Sequence, residues 1–245
     1  MSFPMRLCAL VVSLLCLPLC LVEALGLCRI LKRIAPFRLS RLSSTYNKTM
    51  RGDKRQLFRS LPEFRRAGRR LTILEIGCGT GANFEFYPPD SRVICTDPNP
   101  NLQNYLRQCM DDNDHLTYES FVVTSGEDMG SVEAHSVDVV VCTLVLCCVN
   151  SVEQTLREVR RILRPGGAFF FLEHVAADRS TWTYFFQHVL QPAWRYYGDG
   201  CKLNLETWKH LESAGFSELE MRHVEAPFMS LTKPHIIGYA VKAET

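Results

Sequence analysis

The sequence lacks several features that mark common classes of protein. Its 11 cysteines include no pair at CxxC spacing, and no His/Cys group has the local spacing of metal ligands. We therefore expect neither a disulfide framework nor a metal site. Internal repeats and low-complexity segments are also missing, so no repeat architecture is expected. The 245 residues suit one α/β domain with an appendage, in a compartment that keeps cysteine reduced.

Acidic residues are scarce in the first part of the chain. Residues 1–70 carry 15 Lys/Arg and only 3 Asp/Glu, whereas the remaining residues carry 13 and 23. Two differently charged parts are therefore joined, and the basic part comes first. Within it, the segment from Leu7 to Leu31 is almost wholly apolar, with Pro18 near its centre and Glu23 as its one acid.

Three interpretations of this apolar segment compete. It has the character of a cleaved signal peptide, of a retained helix that spans a bilayer, or of a hairpin bent at Pro18. Few basic residues precede it and the apolar character resumes after Glu23, so we expect a retained membrane anchor over residues 1–34. Spanning and hairpin forms both stay open. The basic residues that follow place the rest of the protein in the cytosol.

Residues 35–70 are basic and loosely amphipathic. Such a segment is typical of a solvated helix packed on a domain, of a helix on anionic lipid headgroups, or of a nucleic-acid contact. Because it follows an apolar anchor, we expect contact with the membrane surface and no nucleic acid.

Residues 71–245 alternate between strand and helix patterns, which is the order of a doubly wound α/β sheet. Seven strands are predicted, with a short helix after the first of them. The strands are predicted at 71–76, 91–96, 116–123, 137–146, 168–175, 216–225 and 235–242, and the longer helices at 98–110, 151–163, 181–193 and 204–214.

The most informative motif lies where the first two predicted strands end. Gly77, Gly79 and Gly81 follow the first strand, and Asp97 follows the second. The carboxyl ends of neighbouring parallel strands form a cradle for a nucleotide, where glycines allow close approach and an acid accepts hydrogen bonds from ribose hydroxyls. This spacing alone fits a dinucleotide or S-adenosylmethionine.

Three observations favour S-adenosylmethionine. The glycines are spaced G-x-G-x-G, not G-x-G-x-x-G. Glu75, just before them, suits a ligand with a sulfonium and an ammonium better than one with two phosphates. The loop 125–129 after the third strand is placed to hold an adenine edge. The predicted cofactor-binding residues are Glu75, Gly77, Cys78, Gly79, Thr80, Gly81, Asp97, Pro98, Asn99, Gly126 and Glu127.

The chain also resembles a known family through motifs along residues 45–242. These are Gly-Cys-Gly-Thr-Gly-Ala-Asn-Phe at 77–84, Asp-Pro-Asn-Pro at 97–100, Gly-Glu-Asp-Met at 126–129, Glu-His-Val at 173–175 and Asp-Gly-Cys at 199–201. They are similar to those of the membrane-anchored thiol methyltransferases, the methyltransferase-like seven family. The resemblance implies a class I methyltransferase with a Rossmann-like seven-stranded sheet. It further implies that the domain faces the cytosol at the endoplasmic reticulum membrane and on lipid droplets, and methylates small alkyl thiols.

The acceptor side is less defined by sequence than the cofactor side. His174 and Asp199 are the candidate catalytic residues, His174 as a base at the end of the fifth strand and Asp199 as a base or a turn former. Cys147, Cys148 and Cys201 are candidates for packing or for binding a soft substrate. Two other functions stay open. One is methylation of a lipid or quinone-like acceptor, and the other is a structural role on lipid droplets with a vestigial cofactor site.

Overall fold

A computed structural model describes residues 3–18, 44–198, 200–227 and 230–244. Within them, seven strands form one sheet in the order β3-β2-β1-β4-β5-β7-β6. Strands β1 to β5 run parallel to one another, and β7 runs antiparallel to both β5 and β6. The strands are β1 (Thr72–Ile76), β2 (Arg92–Thr96), β3 (Thr117–Val122), β4 (Val137–Thr143), β5 (Leu163–His174), β6 (Glu218–Glu225) and β7 (Pro234–Val241). The helices are α1 (Phe3–Leu15), α2 (44–58), α3 (Gln103–Asp111), α4 (Val152–Ile162), α5 (Trp182–Tyr197) and α6 (Thr207–Ser213).

The central strands are buried on both faces, as parallel sheets covered by helices require. Every residue of β1 is buried, and successive side chains point to opposite faces. Ile73 packs in a cluster with residues of α2 and α3, while Leu74 packs in a second cluster with residues of α4 and α6. The predicted doubly wound seven-stranded sheet is therefore confirmed, and its core lies in two layers on either side of β1, β4 and β5.

Helix α2 packs on the sheet with its apolar side. Met50, Leu57 and Phe58 are buried in the same cluster as Ile73, and Leu61 joins them just after the helix. The sheet therefore covers the apolar side of α2. Contact of this basic segment with a membrane surface stays a prediction. Basic side chains on the other side of this segment are exposed, namely Arg51, Arg55, Arg59, Arg65, Arg66, Arg69 and Arg70.

The amino-terminal helix α1 packs against α5. Among the described residues, no helix is both long enough and apolar enough to cross a membrane. Residues 19–43, which include half of the predicted anchor and the start of the predicted linker, lie outside the described residues. The membrane anchor over 1–34 therefore stays a prediction.

Several predicted boundaries differ from the observed ones, and three of these differences concern the edge of the sheet where the site lies or the strand that leads to it. The helix expected after the glycines is a short 3₁₀ turn, Phe84–Phe86. Strand β4 ends at Thr143 instead of 146, because Leu144 takes a left-handed conformation with φ of 58°. Strand β5 starts at Leu163, earlier than the predicted 168, because its Pro-Gly-Gly segment stays in the sheet through an irregular register with β4.

Candidate active site

The glycine loop lies at the carboxyl end of β1 and turns through left-handed backbone. Gly77, Gly79 and Gly81 have φ values of 59°, 55° and 80°. A side chain is further excluded at Gly77, where a Cβ atom would lie 2.5 Å from Cγ2 of Val145 in the loop after β4. The loop backbone is thus left open for close approach of a ligand, and it is fixed against the loop after β4.

Asp97 meets this loop at the end of β2, as the sequence predicts. It is 8% exposed, and its carboxylate accepts hydrogen bonds from the backbone N–H of Gly79 at 3.3 Å and of Asn99 at 2.9 Å. Pro98 lies between Asp97 and Asn99 in the chain. The Asn99 side chain accepts a hydrogen bond from the N–H of Asn101 and so starts the next turn. The carboxylate is therefore held rigidly beside the glycine loop, in the position that suits a ribose contact.

The loop after β3 packs against the end of β1. A Cβ atom on Gly126 would lie 2.9 Å from Cγ2 of Ile76, so only glycine allows this close contact between the loop and the strand. The carboxylate of Glu127 accepts hydrogen bonds from the N–H of Ser151 at 2.6 Å and from the amide of Asn150 at 3.3 Å. The side chain of Glu127 thus stabilises the start of α4, and the loop backbone is left for a ligand.

Glu75 belongs to a buried polar network beneath the glycine loop. Its two carboxylate oxygens accept hydrogen bonds at 2.7 Å from the amide of Asn83 and from the hydroxyl of Tyr87. The Asn83 carbonyl oxygen in turn accepts from Nζ of Lys54 at 2.7 Å, which reaches in from α2. Glu75 and Lys54 are 2% and 1% exposed, so the network places two opposite charges out of contact with water.

Burial shifts the pKa of both charged members of this network. Desolvation raises the pKa of Glu75 to about 7, against the opposing effect of the hydrogen bonds from Tyr87 and Asn83 and of the Lys54 charge. Desolvation likewise lowers the pKa of Lys54 to about 8, although the charges of Glu75 and Glu85 oppose it. The loop therefore rests on a carboxylate whose charge depends on pH near neutrality.

His174 lies at the carboxyl end of β5, on the acceptor side of the predicted site. It is 4% exposed, and its Nε2 lies 2.8 Å from Sγ of Cys201. Its other ring nitrogen, Nδ1, is buried and has no hydrogen-bond partner among the described residues. Nε1 of Trp194 in α5 donates to the same sulfur at 3.3 Å. The imidazole and the thiol thus form a contact closed off from solvent.

Cys147 joins this pair from the loop after β4. The Glu173 carboxylate holds that loop by accepting hydrogen bonds from the N–H groups of Val145 at 2.9 Å and Leu146 at 3.1 Å. The Cys147 carbonyl accepts from the N–H of Lys202 at 2.9 Å, which fixes Cys201 beside it. The ligand atoms of Cys147, His174 and Cys201 all lie within 4.8 Å of one another.

Hydrogen bonding within this cluster acts on the Cys201 thiol. Bonds from Cys147 and Cys148 and the adjacent imidazole of His174 hold the pKa of Cys201 well below its usual range. The pKa of Cys147 shifts the other way, raised by its contacts with Cys148 and Cys201 and by burial. The cluster thus favours one negative charge on Cys201, next to a histidine.

Comparison with known proteins gives this geometry a family. Residues 74–171 match the family of methyltransferase domains. The human thiol S-methyltransferase TMT1A is 55% identical to the chain over 214 residues, covering 87% of the chain and 88% of the relative. The human thiol S-methyltransferase TMT1B is 49% identical over 235 residues, covering 95% and 96%. The chain belongs to the thiol S-methyltransferase family.

A solved structure of lower identity shares the fold of this thiol S-methyltransferase family member. The SAM-dependent methyltransferase from Aquifex aeolicus has a TM-score of 0.55 at 17% identity, covering 84% of this chain and 97% of the other. Together with the family, the domain match identifies the chain as a class I methyltransferase with S-adenosylmethionine as its cofactor.

The residues present fit this cofactor. The left-handed glycine loop leaves backbone open to the ligand, and the buried carboxylates of Asp97 and Glu75 offer acceptors to its hydroxyl and cationic groups. The Asp97 carboxylate accepts hydrogen bonds from the backbone N–H groups of Gly79 and Asn99, and the Glu75 carboxylate lies beneath the same loop. A diphosphate would favour lysine or arginine in the place of these two carboxylates. The donor set therefore suits a sulfonium and an ammonium.

The predicted site residues differ in what the structure does with them. The glycines, half-buried Thr80, Asp97, Pro98, Asn99 and Gly126 lie together along the carboxyl edge of the sheet. The Cys78 side chain packs in the core, which leaves only its backbone for a ligand. Asp199 lies outside the described residues. Contact of each residue with the cofactor stays a prediction.

Sequence reasoning missed two polar residues at this edge, and it missed that three of the candidate residues come together there. Lys54 and Asn83 were not predicted, although a lysine among the apolar positions of α2 is a signal of a buried partner. The expectation of no metal site rested on local spacing, and that spacing cannot reveal the cluster of Cys147, His174 and Cys201. Consecutive members of this cluster are 27 positions apart in the sequence and meet only through the fold.

Proposed function

We propose that this protein transfers the methyl group of S-adenosylmethionine to the sulfur of small, lipophilic thiols at a membrane surface. We further propose that the reaction takes place at the cytosolic face of the endoplasmic reticulum membrane and on lipid droplets. The family relationship supports the reaction, since its human relatives are named as thiol S-methyltransferases. The site geometry supports it independently.

One observation carries the proposal: the cofactor loop and the buried sulfur–imidazole cluster are joined by a single short loop. Val145 packs on Gly77 of the glycine loop, and Cys147 of the cluster follows it two residues later. A methyl group held by the glycine loop and an acceptor sulfur held near His174 are thereby brought to the same edge of the sheet. Holding two reactants in this way supplies much of the catalysis in a displacement reaction.

Bound S-adenosylmethionine supplies a methyl group on a positively charged sulfonium. Asp97 would accept hydrogen bonds from its ribose, and Glu75 would place negative charge beneath its cationic end. His174 is 4% exposed, so a sulfur held beside it would be shielded from water, which favours attack by an unsolvated nucleophile. A thiol needs less help than an alcohol, because a few per cent is already ionised near neutral pH.

Exposed apolar side chains support the membrane part of the proposal. Of the large hydrophobic residues exposed in the described chain, all but Tyr105 and Val123 lie in residues 3–18 or on α5. Trp182 on α5 is 77% exposed, and Phe186 one turn later is 44% exposed. Apolar groups in such number on two packed helices favour contact with lipid.

The experiment is an acceptor screen with methyl-labelled S-adenosylmethionine and the full-length protein in detergent. A panel of alkyl thiols, phenols and amines is offered, with the lipid fraction analysed separately. We expect label in alkyl thiols, increasing with their lipophilicity. Labelled phenol or lipid in place of thiol would overturn the thiol assignment, and no labelled acceptor at all would favour a structural role.

Asp97→Ala is the matched variant for this screen. We expect it to remain folded but to lose cofactor binding by calorimetry, together with thiol methylation. Removing one charged acceptor costs about 1.5–3 kcal/mol, which corresponds to a loss of affinity of roughly 10- to 150-fold. Undiminished cofactor affinity in this variant would contradict the cradle.

A further inference from the structure

We propose that Cys147, His174 and Cys201 bind a zinc ion and leave its fourth coordination position to the sulfur of the acceptor thiol. Zinc in proteins prefers thiolate and imidazole ligands in tetrahedral arrangement. Three protein ligands with one open position are typical of zinc sites that take part in reactions, whereas four protein ligands are typical of structural sites.

The distances suit such a site. The three ligand atoms lie within 4.8 Å of one another, and Nε2 of His174 is 2.8 Å from Sγ of Cys201. In a tetrahedral zinc site, sulfur and nitrogen ligands lie about 3.5 Å apart, given bond lengths of about 2.3 Å and 2.0 Å. A shift of under about 1 Å therefore converts this contact into coordination.

The cluster is held in place by its surroundings. Glu173 fixes the loop that carries Cys147, and the N–H of Lys202 bonds to the Cys147 carbonyl. Gln191 of α5 reaches the chain on both sides of Lys202, donating to the carbonyl of Cys201 and accepting from the N–H of Leu203. These bonds link three separate elements around one point, which is what a preformed ligand site requires.

Burial suits the imidazole of His174 to this role. The residue is 4% exposed, and Nε2 is the ring nitrogen that faces Sγ of Cys201. A neutral imidazole that binds a metal through Nε2 carries its proton on Nδ1. The metal would therefore be bound by a ring that is shielded from water.

Cys148 bounds the open side of the proposed site. Its sulfur lies 3.5 Å from that of Cys147, and it is only half-buried. Its sulfur falls outside the group of three ligand atoms that lie within 4.8 Å of one another. We therefore assign it to the wall through which the acceptor arrives and not to the metal.

The role of the open position rests on the proposed thiol methylation. Zinc binds Cys147 and Cys201 as thiolates and His174 as a neutral imidazole, so the protons that these groups carry beforehand go to solvent. The acceptor thiol loses its proton in the same way when its sulfur coordinates. The acceptor is then held as a thiolate beside the glycine loop. The thioether product carries no such charge and dissociates. In this arrangement His174 is a ligand and not a proton acceptor.

The test measures metal before activity. Full-length protein is produced with zinc in the medium, and a mild chelator removes loosely bound metal. The zinc content is then measured by inductively coupled plasma mass spectrometry. We expect about one zinc ion per chain in the unmodified protein. Cys147→Ser and Cys201→Ser should each weaken zinc binding by more than about 100-fold. This loss exceeds the one typical of residues that only hydrogen-bond to a metal ligand. Cys8→Ser, at an exposed cysteine of α1, is the matched control and should keep its zinc.

Cobalt replaces zinc for a spectroscopic readout. The cobalt-loaded protein should show thiolate-to-cobalt charge transfer, and the band should change when an alkyl thiol is added without cofactor. Cys148→Ser should retain metal and this response. Failure of unmodified protein to bind zinc or to show the cobalt band overturns the site whatever the variants do. Loss of metal in Cys148→Ser would show that Cys148 is the fourth ligand, which would contradict an open position for the acceptor thiol.

The two proposals fail separately in these assays. Thiol methylation at undiminished kcat/KM after complete removal of zinc would overturn the metal's role and leave the proposed function intact. Zinc bound at this site without methylation of any thiol would overturn the proposed function and the open position, and keep the metal site. Calorimetry with S-adenosylmethionine checks that each variant is folded.

Discussion

Glu75 and Lys54 are the two buried charges beneath the glycine loop, and their protonation states are linked to stability. The pKa of Glu75 is raised to about 7 in the folded protein, so between about pH 4.5 and 7 the folded chain binds more protons there than the unfolded chain. Stability from this group is therefore present at low pH and lost as pH rises through 7. Lys54, whose pKa is lowered to about 8, acts in the opposite sense above that pH, because its folded form binds fewer protons.

Replacing Glu75 with glutamine should remove this pH dependence. Relative to the unmodified protein, the free energy of unfolding of Glu75→Gln should rise by about 3 kcal/mol between pH 4.5 and pH 7.5, since a neutral amide has no charge to bury. Guanidinium denaturation at several pH values measures it. Glu85→Gln is the control, because Glu85 forms an exposed ion pair with Arg51 worth under about 1 kcal/mol. Parallel pH curves for Glu75→Gln and the unmodified protein would contradict the prediction.

Single residues at the site differ in how far sequence could define them. Gly77 and Asp97 could be predicted because the signal is local: each follows directly after an apolar run that is typical of a buried strand. Glu127 was predicted as a ligand contact, yet its carboxylate bonds to the N–H of Ser151, 24 residues further along the chain. Only the tertiary structure reveals such a partner, because the two residues are distant in sequence and meet only after folding.

At the scale of elements, the glycine loop and the loop after β4 form one packed unit. Gly77 presents no side chain to Val145, and Glu173 of β5 fixes the same loop from the other side. Any change in the glycine loop is therefore transmitted to the segment that carries Cys147. The cofactor side and the acceptor side of the site thus depend on the same backbone contacts.

Gly77→Ala should damage both sides through this contact. A left-handed backbone costs an alanine about 1–2 kcal/mol, and its Cβ would lie 2.5 Å from a methyl carbon of Val145. We expect a loss of stability of at least about 2 kcal/mol by denaturation and weaker cofactor binding by calorimetry. Gly52→Ala is the matched control, since a Cβ there meets nothing within 4 Å inside α2, and it should stabilise by about 0.5–1 kcal/mol. Equal stability of Gly77→Ala and the unmodified protein would refute the contact.

The elements themselves were largely predictable because buried parallel strands appear as continuous apolar runs. Observed bounds of β1, β2 and β3 lie within one residue of the predicted ones. The apolar run of β4 continues past its end, and only the left-handed turn at Leu144 stops the strand. The Pro-Gly-Gly before β5 predicted a break, whereas the irregular pairing with β4 accommodates it. A backbone turn inside an apolar run cannot be predicted from the residue types alone.

At the scale of the whole molecule, apolar exposure is concentrated on α1 and α5, which pack on each other. Leu7, Leu10 and Leu14 of α1 are each more than half exposed, at 52%, 56% and 56%. A soluble surface scatters such residues singly, whereas a cluster marks an interaction site. The active site opens at the carboxyl edge of the sheet, and Trp194 of α5 bonds to Cys201 there. One helix thus links the apolar surface with the acceptor side of the site, which suits an acceptor that arrives from lipid.

Replacing the exposed aromatic residues of α5 should therefore weaken binding to lipid. Trp182→Ser and Phe186→Ser together should lower partition of the full-length protein onto neutral phosphatidylcholine vesicles by at least about tenfold, because burying an apolar side chain contributes about 1.5–3 kcal/mol. Vesicle flotation measures the partition. Val123→Ser is the control, because Val123 is 55% exposed but lies after β3, outside α1 and α5, and this variant should bind unchanged. Cofactor affinity should also stay unchanged, since both aromatic side chains are exposed on α5 and the cofactor residues lie at the ends of β1, β2 and β3. Equal partition of the double variant and the unmodified protein would show that α5 does not meet lipid, and the apolar segment before residue 44 would then carry any membrane contact alone.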